Sequence, residues 1–140
     1  MIPGKVRIEI MGCQNLGEEK DETYMSAEGI CVDDQGILKF LYIENTEDGA
    51  EIRNQISIKD QSVTISKRGA VVSDMHFVSG GYDEVAYQTP YGVLAMEIRC
   101  KLADVKENEE SCLVEVVYDL YSGGVLVSSC VTKIQVVHIG

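Results

Sequence analysis

The sequence predicts an all-β domain whose antiparallel strands follow one another along the chain and close into a barrel. Apolar and polar residues alternate along most segments, as in strands with one buried face. Reversals marked by glycine and other turn residues separate the segments, giving about eight to ten strands. No segment shows the apolar period of an α-helix. A two-sheet sandwich is the alternative, but a barrel leaves fewer unpaired edge strands.

The composition is that of a single globular domain spanning residues 1–140. Hydrophobic residues make up 45% and charged residues 25% of the chain. No apolar run approaches the roughly 20 residues that cross a bilayer. The first residues, MIPGKVRIEI, lack the apolar region of a secretory signal. The 5 cysteines are scattered and form no CxxC pair. We therefore expect reduced thiols, a cytoplasmic location, and neither a metal site nor a cofactor.

The charge balance restricts the partners. Aspartate and glutamate number 23 against 12 lysines and arginines, which gives a net charge of -11. A field of this sign repels phosphate backbones and anionic lipids. We expect no nucleic-acid partner and no membrane insertion.

The first two strands are predicted from alternation. Residues 5–10 form a half-buried strand, with Val6, Ile8 and Ile10 on its buried side. Residues 12–21 are polar and are predicted as a loop, in which Gly17 and the charged residues 18–22 form a solvated hairpin end. The second strand ends near Val32. One of its faces carries small and flexible side chains, which leave room opposite them: Met25, Ala27, Gly29 and Cys31.

The next strands carry two irregularities. Residues 37–43 are apolar on both faces, so the outer face is either covered or contacts another chain. In residues 50–59, Asn54 interrupts the apolar side. An unpaired buried Asn costs about 1–3 kcal/mol, so we expect it to have a hydrogen-bond partner, a water or a ligand.

Residues 65–92 are predicted to form consecutive antiparallel strands, and the segments before and after them repeat this pattern. They contain a turn, a strand with Met75 and Phe77, a Gly80-Gly81 reversal, a second strand and a turn at residues 89–92. Residues 93–102 then alternate cleanly, with a predicted buried face of Leu94, Met96, Ile98, Cys100 and Leu102. A final hairpin joins residues 112–121 to residues 125–137.

From about residue 58 onward the chain resembles the YwiB-like family of small bacterial proteins. The motifs are KRGAV, which contains Arg68, MHFVSGG from Met75, YQTPYG from Tyr87 and YDLYSGG from Tyr118. The resemblance implies a calycin-like barrel, of the lipocalin and fatty-acid-binding-protein type, in the bacterial cytoplasm. It supplies no catalytic or ligand residues. The Gly-x-Trp of true lipocalins is missing, since the chain contains no Trp, and this argues against lipocalin-style extracellular carriage.

The residues suggest several ligand contacts. Arg68, before a turn glycine, could hold a carboxylate or could pin the turn through a salt bridge. Met75 and Phe77 share one strand face and line either the core or a cavity. Tyrosines number 7 against 2 phenylalanines. Their mixed polarity suits a cavity lining that includes Tyr87, Tyr91 and Tyr118, although hydrogen bonds closing strand ends explain the same count.

These observations favour a non-enzymatic barrel that binds a small apolar or amphipathic molecule. His76 lies beside Asp74 on one strand face, but no nucleophile motif accompanies it, so we expect no catalytic residue. The alternative is a protein-interaction module or homodimer that uses the outer face of residues 37–43.

Overall fold

The computed structural model describes all 140 residues and contains ten antiparallel strands and no helix. The strands are β1 (Gly4–Leu16), β2 (Glu19–Asp34), β3 (Ile37–Asn45), β4 (Glu51–Lys59), β5 (Ser62–Gly69), β6 (Ser73–Phe77), β7 (Tyr82–Thr89), β8 (Gly92–Glu107), β9 (Ser111–Ser122) and β10 (Val125–His138). The all-β prediction is confirmed. No helical segment has the length and apolar character needed to cross a bilayer.

The ten strands form one sheet made of two meanders. Strands β1–β6 pair in sequence, strands β7–β10 pair in sequence, and β1 joins β10. The sheet curls until its end strands, β6 and β7, meet. There Val72 and Gln88 exchange backbone hydrogen bonds of 3.0 and 2.9 Å, and the His76 amide donates to the Asp83 carboxylate at 3.1 Å. The result is a nearly closed barrel, consistent with the predicted calycin-like architecture.

Strand reversal gives the barrel two different ends. The β2–β3, β4–β5, β6–β7 and β8–β9 turns lie at one end, which we call the closed end, and the other five turns lie at the open end. At the closed end the Gln61 amide group exchanges hydrogen bonds of 2.8 and 3.1 Å with the backbone of Val105. The Ser79 hydroxyl accepts from the Ala103 amide at 2.9 Å. These contacts tie the turns to the neighbouring strand β8.

The barrel interior is one hydrophobic core of 23 buried residues contributed by all ten strands. The largest fully buried side chains include Ile8, Phe40, Ile56, Phe77 and Ile134. They occupy alternate positions of their strands, as the sequence predicted. Burying several such side chains, at roughly 1.5–3 kcal/mol each, supplies the main driving force for closing the sheet.

The solvated hairpin end predicted near Gly17 is present, but the prediction of a loop over residues 12–21 is wrong. Strands β1 and β2 continue through these residues in register, with Cys13 opposite Glu22 and Leu16 opposite Glu19. Residues 14–24 are exposed on both faces, because this hairpin extends beyond the barrel. A strand without a buried face shows no apolar alternation, so its sequence reads as a loop.

The predicted buried face of residues 93–102 is correct in its middle and wrong at both ends. Ile98 and Cys100 are buried, but a bulge between Cys100 and Leu102 shifts the alternation by one residue. Leu102 is therefore exposed, and the following residues Ala103 and Val105 are buried instead. Leu94 is 58% exposed because it lies at the end of a projecting hairpin.

The expected room opposite Gly29 is filled. A Cβ atom at Gly29 would collide with the Leu41 carbonyl oxygen and would lie 3.0 Å from Ile8 Cδ1 and 3.2 Å from Tyr42 Cβ. Gly29 is therefore a point of close approach between β2 and its neighbours.

We predict that Gly29→Ala lowers the free energy of unfolding by about 1–3 kcal/mol, because the added methyl displaces a backbone carbonyl. Urea denaturation followed by circular dichroism measures the change. Ser26→Ala, on the exposed face of the same strand, is the control and should have an effect within about 0.5 kcal/mol of zero. Equal stability of Gly29→Ala and wild type would show that β3 can move away without cost.

Candidate functional site

On five of the ten strands the inward-facing side chains change from buried to partly exposed towards the open end of the barrel. On β1, Val6 and Ile8 are fully buried, whereas Ile10 is partly exposed. The same change occurs on four other strands, from Cys31 to Ala27 and Met25 on β2, from Val63 to Ile65 on β5, from Phe77 to Met75 on β6 and from Ile98 to Met96 on β8. Water therefore reaches the interior from this end, which makes it the candidate site.

An ion pair lies inside the barrel at the open end. Lys67 occupies an inward position of β5, and its side chain is only 24% exposed. Its ammonium group donates to Glu44 Oε1 at 3.0 Å and to Asn54 Oδ1 at 2.7 Å. Glu44 lies at the end of β3, and its side chain is 31% exposed. A charged group in such a place needs partners, and these two supply them.

Asn54 has the hydrogen-bond partners that the sequence analysis required. Besides accepting from Lys67, its side-chain nitrogen donates to the Ile52 carbonyl at 3.2 Å. The residue is buried on the inner face of β4. Asn54 therefore holds Lys67 from the neighbouring strand β4, where the two residues are directly opposite, and Glu44 holds it from β3, two strands away.

Two tyrosines border this polar cluster. Burial raises the pKa of Tyr42, and the negative charge of Glu44 raises it further. The pKa of Tyr87, on β7, is raised by the same two causes in the same order. Both phenols therefore stay protonated near neutral pH and can act as neutral hydrogen-bond donors or acceptors.

The remaining lining of the open end is apolar and flexible. Met25, Met75 and Met96 come from three separate strands, are partly buried and pack against the core. Methionine side chains adapt to irregular shapes because they are unbranched and polarizable. Together with the Lys67–Glu44–Asn54 cluster they form a mixed surface that could contact an amphipathic molecule.

The six predicted site residues occupy three environments. Met75 and Tyr87 lie in the lining of the open end. Phe77 and Tyr118 are buried and pack with ring centroids 4.8 Å apart, and burial raises the pKa of Tyr118 to about 12. Tyr91 is 100% exposed in the β7–β8 turn, and Arg68 points to the outer surface. Neither Tyr91 nor Arg68 lines the barrel interior.

Arg68 pins its surroundings in the way that the sequence analysis gave as the structural alternative. Its guanidinium donates to the carbonyls of Lys67 and Ser73 at 2.8 and 3.2 Å and to Asp74 Oδ2 at 2.9 Å. The hydrogen bond from Arg68 lowers the pKa of Asp74, and one from Ser66 contributes. The exposed His76 ring contacts Thr64 Oγ1 at 2.7 Å instead of Asp74.

Sequence reasoning missed Lys67 and Glu44. Lys67 follows Val63 and Ile65 at a spacing of two, which placed it on the inner face, but the neighbouring Arg68 was chosen as the candidate cation. Glu44 likewise continues the inner positions Phe40 and Tyr42 of β3. If the period-two alternation is extended one residue past the predicted end of each strand, both Lys67 and Glu44 fall on the inner face.

Three depressions lie along the sheet, and the first includes the inward-facing Met96 in its lining. One of 480 Å³ lies along the β7–β8 hairpin, one of 590 Å³ lies over β10, β1 and β2, and one of 380 Å³ lies over β3–β5. No group of three His, Cys, Asp or Glu side chains is placed to hold a metal ion. Four cysteines are buried, and burial raises the pKa of each: Cys31, Cys100, Cys112 and Cys130.

The model of a family described as a domain of unknown function, DUF1934, matches residues 8–134. The chain belongs to this family. Its structure is similar to the crystal structure of the ywiB protein from Bacillus subtilis, with a TM-score of 0.88 and 16% sequence identity over 99% of this chain and 94% of that chain. The YwiB-like resemblance is thereby confirmed, and the match supports the fold alone. No functionally curated protein matches the sequence significantly.

We predict that Lys67 and Glu44 are energetically coupled. Lys67→Met should lower the free energy of unfolding by about 1–3 kcal/mol, because Asn54 and Glu44 lose their donor. In the double variant with Glu44→Gln, part of this loss should be recovered, which gives a coupling energy of at least about 0.5 kcal/mol in urea denaturation.

The control cycle uses Lys20→Met and Glu22→Gln, an exposed ion pair of 3.1 Å on the projecting β1–β2 hairpin. This pair should show no measurable coupling, since solvent screens it. Additive effects at Lys67 and Glu44 would mean that the interior pair is screened in the same way.

Proposed function

We propose that the protein is a non-enzymatic barrel that binds a small, partly apolar molecule at its open end. The observation that carries this proposal is the inward-facing Lys67 within a lining of methionines and tyrosines. A barrel needs no interior ion pair for its stability, since apolar side chains in place of both Lys67 and Glu44 would avoid the cost of desolvating two charges. In small-molecule sites a few polar groups in a mainly apolar lining fix the orientation of the ligand.

Lys67 supplies the polar contact in this proposal. An ammonium group has three donors, and Glu44 and Asn54 accept two of them. The third donor is available to a carboxylate, carbonyl or hydroxyl oxygen of a ligand. Because Glu44 neutralises the pair, a neutral polar group is accepted as well as an anionic one.

The apolar part of the ligand would contact Met25, Met75 and Met96. Below them the interior is filled by the packed rings of Phe77 and Tyr118. The ligand therefore enters only the upper part of the barrel, which limits it to a small molecule or to one end of a longer one.

The proposal also includes a cytoplasmic location and no enzymatic role. The His76 ring is exposed on the outer face, where its close partner is the Thr64 hydroxyl. The five free cysteines, of which only Cys13 is not buried, suit the reducing conditions of the cytoplasm.

Binding can be tested with the amphipathic dye anilinonaphthalene sulfonate, whose fluorescence rises in apolar surroundings. We expect saturable binding to the native protein, and about tenfold weaker binding by Lys67→Met, because the charged hydrogen bond to the sulfonate is lost. Lys67→Arg should bind more tightly than Lys67→Met, since it keeps the charge.

The matched control is Lys59→Met, which removes an exposed lysine at the closed end of β4 and should leave dye affinity unchanged. Thermal melting must first show that each variant is folded at the temperature of the titration. Equal affinity of wild type and Lys67→Met would reject the open end as the binding site.

A homodimer is the second candidate, favoured by the outer surface of β2 and β3. Strand β3 is internal to the sheet, and its outer face is not covered by any other part of the chain. Four aliphatic side chains on these strands are exposed and form what we call the outer patch: Ile30, Val32, Leu41 and Ile43. Ile30 and Ile43 are the most exposed of the four, at 54% and 53%. An apolar patch of this kind is typical of surfaces that contact another protein.

If the outer patch forms a dimer, light scattering will show a mass that rises with concentration, and Leu41→Lys or Ile43→Lys will abolish the rise. Leu113→Lys, at an exposed leucine on the outer face of β9, is the control and should have no effect. A monomeric mass at all concentrations would dismiss the dimer and leave the small-molecule proposal intact.

A further inference from the structure

We infer that the outer face of β4 and β5 carries a second binding site, for an oxyanion such as phosphate or carboxylate. Its basis is the pairing of Arg53 on β4 with Arg68 on β5, which are directly opposite each other in the antiparallel register. Directly opposed residues have Cβ atoms about 4.5–5.5 Å apart, and like charges at that distance destabilise a sheet. An anion between the two guanidinium groups would reverse this effect.

The two arginines lie in a depression of 380 Å³. Gln55 also lines it and keeps one amide N–H besides the one that it donates to Ser57, and Leu41 forms an apolar border. A concave site with several converging donors and one apolar wall is typical of binding sites for small anionic molecules. It lies on the opposite face of the sheet from Lys67, so it does not depend on the function proposed for the open end.

Arg68 is held in position, while Arg53 has no acidic partner. Three hydrogen bonds to Lys67 O, Ser73 O and Asp74 fix the Arg68 guanidinium and leave two of its five N–H donors. Asp74 neutralises the charge of Arg68, whereas Arg53 takes part in no ion pair of the structure. Arg53 and Arg68 are the only charged residues that line this depression, in a protein whose net charge is -11.

The ordered Arg68 guanidinium and the unpaired Arg53 together suit an oxyanion. Arg53 would supply the charge and up to two parallel hydrogen bonds, as arginine does with carboxylate and phosphate. The remaining donors of Arg68, with the free N–H of the Gln55 amide, would orient the other oxygens. Because Arg68 is already ordered, little conformational entropy is lost there on binding.

The test is thermal melting with increasing inorganic phosphate, and in parallel with acetate, at ionic strength held constant with chloride. At about ten times the dissociation constant, phosphate or acetate should raise the melting temperature of the wild type by about 3–6 °C. Arg53→Gln should lose most of this rise. Without added anion Arg53→Gln should melt no lower than wild type, because the opposed charges are removed.

Arg7→Gln is the matched control, because Arg7 is exposed on the outer face of β1 but stands opposite Glu28. It should keep the full response, which separates binding from the general stabilisation that phosphate gives to proteins. A rise with phosphate alone identifies a phosphate-binding site, and an equal rise with acetate identifies a carboxylate site. Equal responses of Arg53→Gln and wild type, or no response above that of chloride, overturn the inference.

Discussion

The structure depends on a strand register that keeps the apolar side chains of all ten strands on the inner face of the closed sheet. Side chains alternate with a period of two, so a slip of one residue on any strand would expose its core residues and bury its charges. The 23-residue core requires that this register hold from β6 through to β7. Where a strand departs from strict alternation, as at the bulge between Cys100 and Leu102, the ladder itself absorbs the extra residue and restores the register beyond it.

Much of the fold could be predicted from the sequence because most strands bury one face. The alternation of Val6, Ile8 and Ile10, and the glycine-rich turn at residues 122–124, reflect interactions between near neighbours in the chain. The bulge in β8 could not be predicted, since its effect depends on pairing with β9. The extended part of the β1–β2 hairpin could not be predicted either, because both of its faces are exposed and neither shows apolar alternation.

The candidate site was harder to predict because it combines residues from separate strands. The sequence analysis identified Asn54 as a residue that needs a partner, but it could not show that Lys67 and Glu44 converge on that side chain. Arg68 was predicted either to contact a ligand or to pin its turn, and the structure shows the pinning contacts. The interior cation is its neighbour Lys67, since neighbouring residues of a strand point to opposite sides. Lys67 and Arg68 therefore belong to different sites on the two faces of the same sheet. Lys67 forms an ion pair with Glu44 in the interior, and Arg68 stands opposite Arg53 on the outer face.

The junction between β1 and β10 has a consequence for the order of folding. Val6 pairs with His138 and Asn15 pairs with Ser129, so this junction joins opposite ends of the chain, whereas every other ladder joins consecutive strands. Consecutive hairpins close short loops at low entropic cost, but the β1–β10 ladder closes a loop that includes most of the chain. The two meanders should thus form early and separately, and their docking along this single non-local ladder should limit the rate at which the barrel is completed.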